Sequence, residues 1–356
     1  MPAFAALALA CGSVPSDAWL RAKAAGDRAT GSGRLTEAAS AYAEAQRAAR
    51  WPRDRDEAQL LEAATWKRLG AYDKATAAYR DLLQRSPQGG RAERATFELA
   101  EVALAAGDAP AGFRLLEAAL VAWPGSGHAP RALARLVSYT RDAAGDAAAL
   151  ALYDSLLVRL ASSELDETLR YGRATLLEAR GDAEGALAGW LACAERHPYP
   201  FGALFDDALW HAADAEEHLG RPERAAEHLR EMLRVREPST FGGSYDRPRF
   251  PEAQLRLARL LRDALHDRAG ARRELARVYD EFPASRLCDD ALWDAARLAR
   301  EEGDAAAACS LGARLVRDLP TSRYAACVAA VCAEVKPPPG TRCRAYVLEA
   351  LGGAAR

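Results

Sequence analysis

The sequence predicts an all-α solenoid of about eight antiparallel helix pairs, closed by a C-terminal capping helix. Three observations predict it. Glycine and proline return 17 residues apart, from Gly70 to Pro87, Gly107 to Pro124, Gly181 to Pro198 and Gly303 to Pro320, and Gly145 reaches Ser162 at the same step. Successive glycines at Gly33, Gly70, Gly107, Gly145, Gly181 and Gly220 lie 36 to 39 residues apart, which is the spacing of one helix pair written many times over. Small residues keep a fixed register to those glycines. They stand seven before, at Gly26, Ala63, Ala100, Ser138, Ala174, Ala213 and Ala296, and five after, at Ala38, Ala75, Gly112, Ala186, Ala225 and Ala308.

The segment from Asp56 to Pro87 shows how one pair is built. Its first helix, Glu57 to Leu69, carries Leu60, Leu61, Ala64 and Trp66 and stops at Gly70, which tolerates the positive φ of a helix C-cap. The second runs from Tyr72 or Asp73 to about Arg85. Ala75, Ala78, Tyr79, Leu82 and Leu83 place its apolar stripe on one face. Ser86-Pro87 ends it, since proline cannot continue the ladder. Four residues beyond the second small position a larger group often follows, at Tyr42, Tyr79, Leu116, Trp190 and Leu229. Small therefore faces large across each hairpin, as close helix packing requires. The sixth pair, turning at Gly220, is followed by an expanded junction. The next pair keeps Pro283 but turns at His266-Asp267-Arg268, and the last turns at Gly303. Lys336-Pro-Pro-Pro-Gly340 and a helix from Arg342 to Leu351 read as the cap over the final apolar face.

This register of a small residue, Gly seven on, Ala twelve on, an aromatic or Leu sixteen on and Pro twenty-four on resembles the tetratricopeptide repeat, and the resemblance covers about residues 17 to 335. It implies a right-handed superhelix that presents peptides to a groove lined by the first helix of each pair. Phe282-Pro283 through Leu292-Trp293, and Leu319-Pro320-Thr-Ser-Arg-Tyr324, resemble junctions of periplasmic and outer-membrane repeat proteins. One version of the family clamps a carboxylate with Lys and two Asn. This chain contains no Asn, which excludes that version.

Composition narrows the function. Half of the 356 residues are apolar and 28% are charged, with a formal net charge of -2, so no global field draws nucleic acid. Asn and Ile are absent, and lysine occurs only at Lys23, Lys67, Lys74 and Lys336. There is no P-loop, nucleophile elbow or dinucleotide fingerprint. His211 and His218 share a helix face with Asp207 and Asp214, which reads as a solvated surface rather than a metal site. The acidic pairs Asp206-Asp207, Glu216-Glu217, Asp289-Asp290 and Glu301-Glu302 read as caps and solvated faces, because adjacent helical residues do not face each other. No catalytic residue, cofactor or metal is expected.

The N-terminus suggests an address. Pro2 to Ala10 is a run of apolar, mostly small residues ending at Cys11-Gly12, and it resembles the tail of a bacterial lipoprotein signal. Ala10 and Cys11 fit that pattern. Ala8 stands where Leu is usual, and no Lys or Arg precedes the run. Residues 1–11 are thus expected to be a signal segment with Cys11 as the lipid attachment site, and 12–16 a linker. Of the other cysteines, Cys193 takes the place of Leu82 and Ala119 in their repeats and is expected in the core. Cys309, Cys327, Cys332 and Cys343 crowd the end of the chain, where a disulfide among them would staple the cap in an exported protein. Connectivity stays open.

Regularity fails between residues 236 and 252, an aromatic and proline-rich insertion at a position where arrays often bind partners. Between Arg247 and Arg277 nine arginines stand against four acids. Candidate partner-binding residues are Phe241, Tyr245, Arg247, Arg249, Phe250, Arg256 and Arg259, with Arg262 adjacent, and they suit an acidic peptide or an anionic envelope polymer. A solvated helix face is the plainer account of the same arginines. The expectation is a non-enzymatic scaffold that binds protein or peptide partners, tethered by lipid to the periplasmic face of an outer membrane. A cytoplasmic adaptor and the superhelical part of a cell-wall enzyme are the alternatives.

Overall fold

The computed structural model describes residues 14–234 and 249–352, the side chains of 350–352 excepted. Cys11, Phe241, Tyr245 and Arg247 lie outside the described residues. The chain divides into two compact units, Met1–Leu169 and Arg170–Arg356.

In the first unit α1 (Asp17–Gly31), α2 (Leu35–Ala48), α3 (Pro52–Arg68), α4 (Tyr72–Arg85), α5 (Ala92–Ala105), α6 (Ala109–Ala122) and α7 (Ala129–Arg159) pack each against the next. α7 is kinked at Gly145, where φ is +81° and ψ 176°, so the expected turn glycine interrupts it. α8 (Asp166–Ala179) spans the division. The second unit continues with α9 (Ala183–Arg196), α10 (Phe205–His218), α11 (Pro222–Arg234), α12 (Arg249–Asp263), α13 (Arg268–Glu281), α14 (Cys288–Glu301) and α15 (Ala305–Asp318). A short 3-10 helix (Ala325–Ala330) and α16 (Ala345–Gly352) close it. Counting the two halves of α7, the described residues form the expected eight pairs, a tetratricopeptide-like helical array.

Six of the seven turn glycines, all but Gly145, work through one hydrogen-bond pattern. At Gly70 (φ +73°), its N–H donates to the Lys67 carbonyl at 3.0 Å and the Ala71 N–H reaches back to Trp66 at 3.0 Å. These are the two bonds of a Schellman cap, and they satisfy carbonyls that the helix end leaves orphaned. Arg34 to Ala29, Asp108 to Ala103, Asp182 to Leu177, Arg221 to Glu216 and Asp304 to Ala299 repeat the longer bond. Where Asp follows the glycine, its side chain also caps the second helix: Asp108, Asp182 and Asp304 accept the N–H groups of Ala111, Gly185 and Ala307 at 2.9 to 3.0 Å. In the pair that lacks the glycine, His266 adopts φ +54° and Asp267 supplies the same cap to Gly270 at 2.8 Å.

Four of the described junctions after a second helix share a device of their own. Ser126, Ser163, Ser285 and Ser322 each accept, on the hydroxyl, the N–H two residues on, at 3.1 to 3.3 Å. These are Ser turns that carry the chain into the next first helix. Between helices, small faces large as the spacing predicts. A Cβ on Gly26 would stand 2.5 Å from the Tyr42 ring, and Leu60, Ala63, Ala75, Tyr79 and Leu82 form one buried cluster with Ala95, Leu99 and Val102 of α5. Cys193 is fully buried, in the core position expected of it.

Three boundaries differ from the sequence reading. α3 begins at Pro52 rather than Glu57, because proline suits the first turn of a helix, where its missing N–H costs nothing. Residues 249–252, assigned to the insertion, are the first turn of α12. The closing helix starts at Ala345 rather than Arg342, and the stretch after Pro320 forms only the 3-10 turn before it.

Candidate partner-binding site

In the second unit the first helices α10, α12 and α14 lie side by side, and ion pairs join each to the next. Arg249 reaches Asp207 at 2.6 Å, and Arg256 reaches Asp214 at 2.9 Å and Glu217 at 2.7 Å, joining α12 to α10. Arg259 reaches Asp294 at 2.9 Å and Asp290 at 3.8 Å, and Arg262 reaches Asp294 at 3.4 Å, joining α12 to α14. The first unit is joined in the same way, with Arg91 on Glu57, Lys67 on Glu98 and Arg135 on Glu101. The arginines expected to form a free basic surface are therefore already held by carboxylates of the neighbouring repeat.

Two aromatic platforms sit in this face. The Arg256 guanidinium lies 4.6 Å from the centre of the Trp210 ring, with Arg249 at 5.5 Å. Two repeats on, Tyr324 is backed by the buried Trp293, 2% exposed and stacked on it at 5.2 Å, with Arg323 lying 4.6 Å over the Tyr324 ring. The Tyr324 hydroxyl and Arg323 both donate to Asp290, at 2.7 and 2.8 Å. Burial, and after it that hydrogen bond to a carboxylate, push the Tyr324 hydroxyl well above its ordinary range. Between the platforms runs an open groove. One cavity of about 530 Å³ lies along α10 and α12 and is lined by Trp210, Leu255, Arg256, Arg259 and Asp263. Another of about 300 Å³ lies under the cap, between Arg259, Arg262, Trp293, Asp294, Tyr324 and Tyr346.

The sequence-derived candidates separate into three groups. Arg256 and Arg259 line the groove. Arg249 stands at its end in the first turn of α12. Phe250 is 5% exposed, so it anchors that turn instead of meeting a partner, because the chain is already helical where an exposed loop was expected. His211 stacks on Trp190 at 4.7 Å, while His218 lies 2.9 Å from the Asp214 carbonyl. Asp207 and Asp290 are ion-pair partners rather than solvated caps, and Glu216, 5% exposed, lies 3.5 Å from Arg221.

Trp210, Trp293, Asp294, Arg323, Tyr324 and Tyr346 were missed. The sequence did carry a signal for some of them. Asp-Asp-Ala-Leu-Trp occurs twice, at 206–210 and 289–293. In each copy the second Asp takes an arginine of the segment that follows, Arg249 for Asp207 and Arg323 for Asp290, and the Trp forms or backs a platform.

At the end of the chain the four clustered cysteines pair as Cys309 with Cys332 and Cys327 with Cys343, the Cα atoms 4.9 and 4.7 Å apart. The first ties α15 to the segment after the 3-10 turn, and the second ties that turn to the approach to α16. Among the described residues the one cluster with metal-ligand chemistry, Cys309, Cys332 and Glu334, includes a bridged pair whose sulfurs are bonded to each other. Cys193 and Cys288 are buried and outside both bridges.

No family model and no curated protein matches the chain. Among solved structures it is similar to a tetratricopeptide repeat protein from Parabacteroides merdae, at 14% identity over 74% of this chain and 93% of that one, TM-score 0.35. It is similar to the C-terminal part of a repeat-containing protein from Cytophaga hutchinsonii at 10% identity over 75% and 97%, TM-score 0.43. It is also similar to the TPR2AB domain of yeast Sti1 in its pHSP90 complex at 14% identity over 77% and 95%, TM-score 0.31. By the register written in its sequence and the capped helix pairs that register builds, the chain has a tetratricopeptide-like fold.

Proposed function

We propose that the chain is a non-enzymatic scaffold that holds a protein partner along the first-helix face of its second unit. The observation that carries this reading is the groove. Side chains from α10, α12 and α14 meet there around two aromatic platforms, and Arg256, Arg259 and Arg262 are fixed in position by carboxylates of neighbouring helices. A surface already organised in this way orders few side chains on binding, which favours association. Among the described residues no helix is long and apolar enough to cross a membrane.

The proposed setting is the periplasmic face of a bacterial outer membrane, with Cys11 carrying the lipid. The two bridges of the cap support that setting, since paired cysteines persist in oxidising compartments. A lipid at Cys11 would explain membrane association without a spanning helix.

Photo-crosslinking residues placed at Glu252 and Asp263, exposed on the groove side of α12, and at Arg230 and Arg273, exposed on second helices, test the scaffold in cells. Protein adducts are expected from the first two positions and not from the last two. Adducts from the second helices alone, or from none of the four, would overturn the reading. Incorporation of labelled palmitate, lost in Cys11→Ala, tests the anchor separately.

A further inference from the structure

We propose that the cavity under the cap is an acidic-residue pocket, which takes a carboxylate from a peptide segment of the partner. It rests on the reading of this face as a partner surface and goes further by assigning the chemistry of what enters. Four guanidiniums line the cavity, those of Arg259, Arg262, Arg297 and Arg323, and among the described residues the only carboxylate lining it is Asp294. Asp294 is 5% exposed, and Arg259, Arg262 and Arg297 approach it at 2.9, 3.4 and 3.8 Å. Its charge is thus shared by three cations and hidden from solvent.

Arg259 and Arg323 keep part of their donor set for a visitor. Arg259 gives its Nε to Asp294, with Nη2 3.8 Å from Asp290, and Arg323 gives Nη2 to Asp290 and the Tyr324 hydroxyl, yet the two side chains remain 44% and 48% exposed. Burial disfavours the charge on Arg323, but its hydrogen bond to Asp290, with the fields of Tyr324 and Asp290, outweighs that and holds the guanidinium firmly protonated. A guanidinium offers five N–H groups in a planar fork that matches a carboxylate with two parallel bonds. Tyr346, 48% exposed on α16, supplies a ring beside those forks for the aliphatic stem of Glu or the adjoining backbone.

Size and field suit an anionic side chain. About 300 Å³ is at the lower end of ligand pockets and suits one or two side chains. Asp294 below the site and Asp290 behind it offset two of the four guanidinium charges, which leaves a net positive field that attracts a carboxylate. The pocket also depends on the cap. Val347, 2% exposed, packs α16 onto Leu292 and Trp293, and the Cys327–Cys343 bridge fixes the approach to that helix.

The test measures fluorescence anisotropy of fluorescein-labelled hexaglutamate and hexaglutamine with the full chain, oxidised. Hexaglutamate is expected to bind and hexaglutamine not. Arg259→Gln with Arg323→Gln should weaken hexaglutamate by about tenfold or more, as loss of two forks implies, while Arg230→Gln with Arg273→Gln leaves it unchanged. Circular dichroism melting checks the fold. If the first pair unfolds, Arg259→Lys alone is used under the same criteria, because it keeps a cation beside Asp294 and loses the fork. The proposal is overturned if hexaglutamate fails to bind, if the groove variant binds as well as wild type, or if the second-helix variant weakens binding equally. Failure of hexaglutamate with the Glu252 and Asp263 cross-links intact removes the pocket alone. Loss of both removes the partner face as well.

Discussion

Asp294 concentrates the electrostatics of the second unit on one side chain. It is nearly buried and shared by Arg259, Arg262 and Arg297. Replacing one member of a buried charge cluster leaves the others without compensation, which costs more than the ion pair contributed. Asp294→Ala should therefore destabilise the second unit by about 2–4 kcal/mol in urea unfolding, with the discount that Arg259 is close to half exposed. A loss no greater than that of Asp263→Ala, whose carboxylate is 61% exposed, would show that the cluster is held by solvent and not by Asp294. At this scale the sequence was partly legible. Gly26 and Cys193 could be placed from their register alone, since core positions recur wherever the repeat does. Asp207 and Asp290 were misread as caps because their arginine partners lie 42 and 31 residues back or ahead in the next first helix, from Asp207 to Arg249 and from Asp290 to Arg259. Nothing local announces such a pairing; only the repeated Asp-Asp-Ala-Leu-Trp did.

At the scale of the helix pair, Gly70 at the turn of the second pair and Gly26 inside the first act for different physical reasons. Gly70 has open space around its Cα but sits at φ +73°, so Gly70→Ala is strained by backbone conformation alone, at about 1 kcal/mol. Gly26 is helical, and any Cβ there meets the Tyr42 ring at 2.5 Å, an overpacking cost of about 1–3 kcal/mol. Substituting Asn, which tolerates the left-handed region, should recover part of the loss at position 70 and none at position 26. Equal recovery at both, read from thermal melts, would contradict this division. The cap is the element least like the rest, because two bridges hold it where a further helix pair would otherwise cover the core. Closing the 16-residue span between Cys327 and Cys343 is worth about 3 kcal/mol in the chain-entropy account. Reduction should raise hydrogen exchange across residues 325–349 while leaving α10 and α11 unchanged; uniform exchange with and without reductant would mean that packing alone holds the cap. The sequence suggested a staple but not its connectivity, which depends on the 3-10 turn that no periodicity predicts.

At the scale of the whole chain, one period writes both the scaffold and its adhesive. The register of glycine, small residue and proline sets the hairpins, and was readable because each position meets the same steric demand in every repeat. The ladder of cations and carboxylates between first helices follows from that stacking, and it converts a stretch with nine arginines against four acids into a face whose charges are mostly matched. A one-dimensional count saw only the excess of arginine, since the matching acids reside on the helices before and after. What remains on that face is a groove with two aromatic platforms and the half-exposed forks of Arg259 and Arg323, which is where binding is assigned. Hydrogen exchange of the full chain, alone and with the partner trapped from Glu252, measures this most directly. Added protection confined to α10, α12, α14 and the cap is the predicted result; protection centred on the second helices α11, α13 and α15, or within residues 14–169, would contradict it.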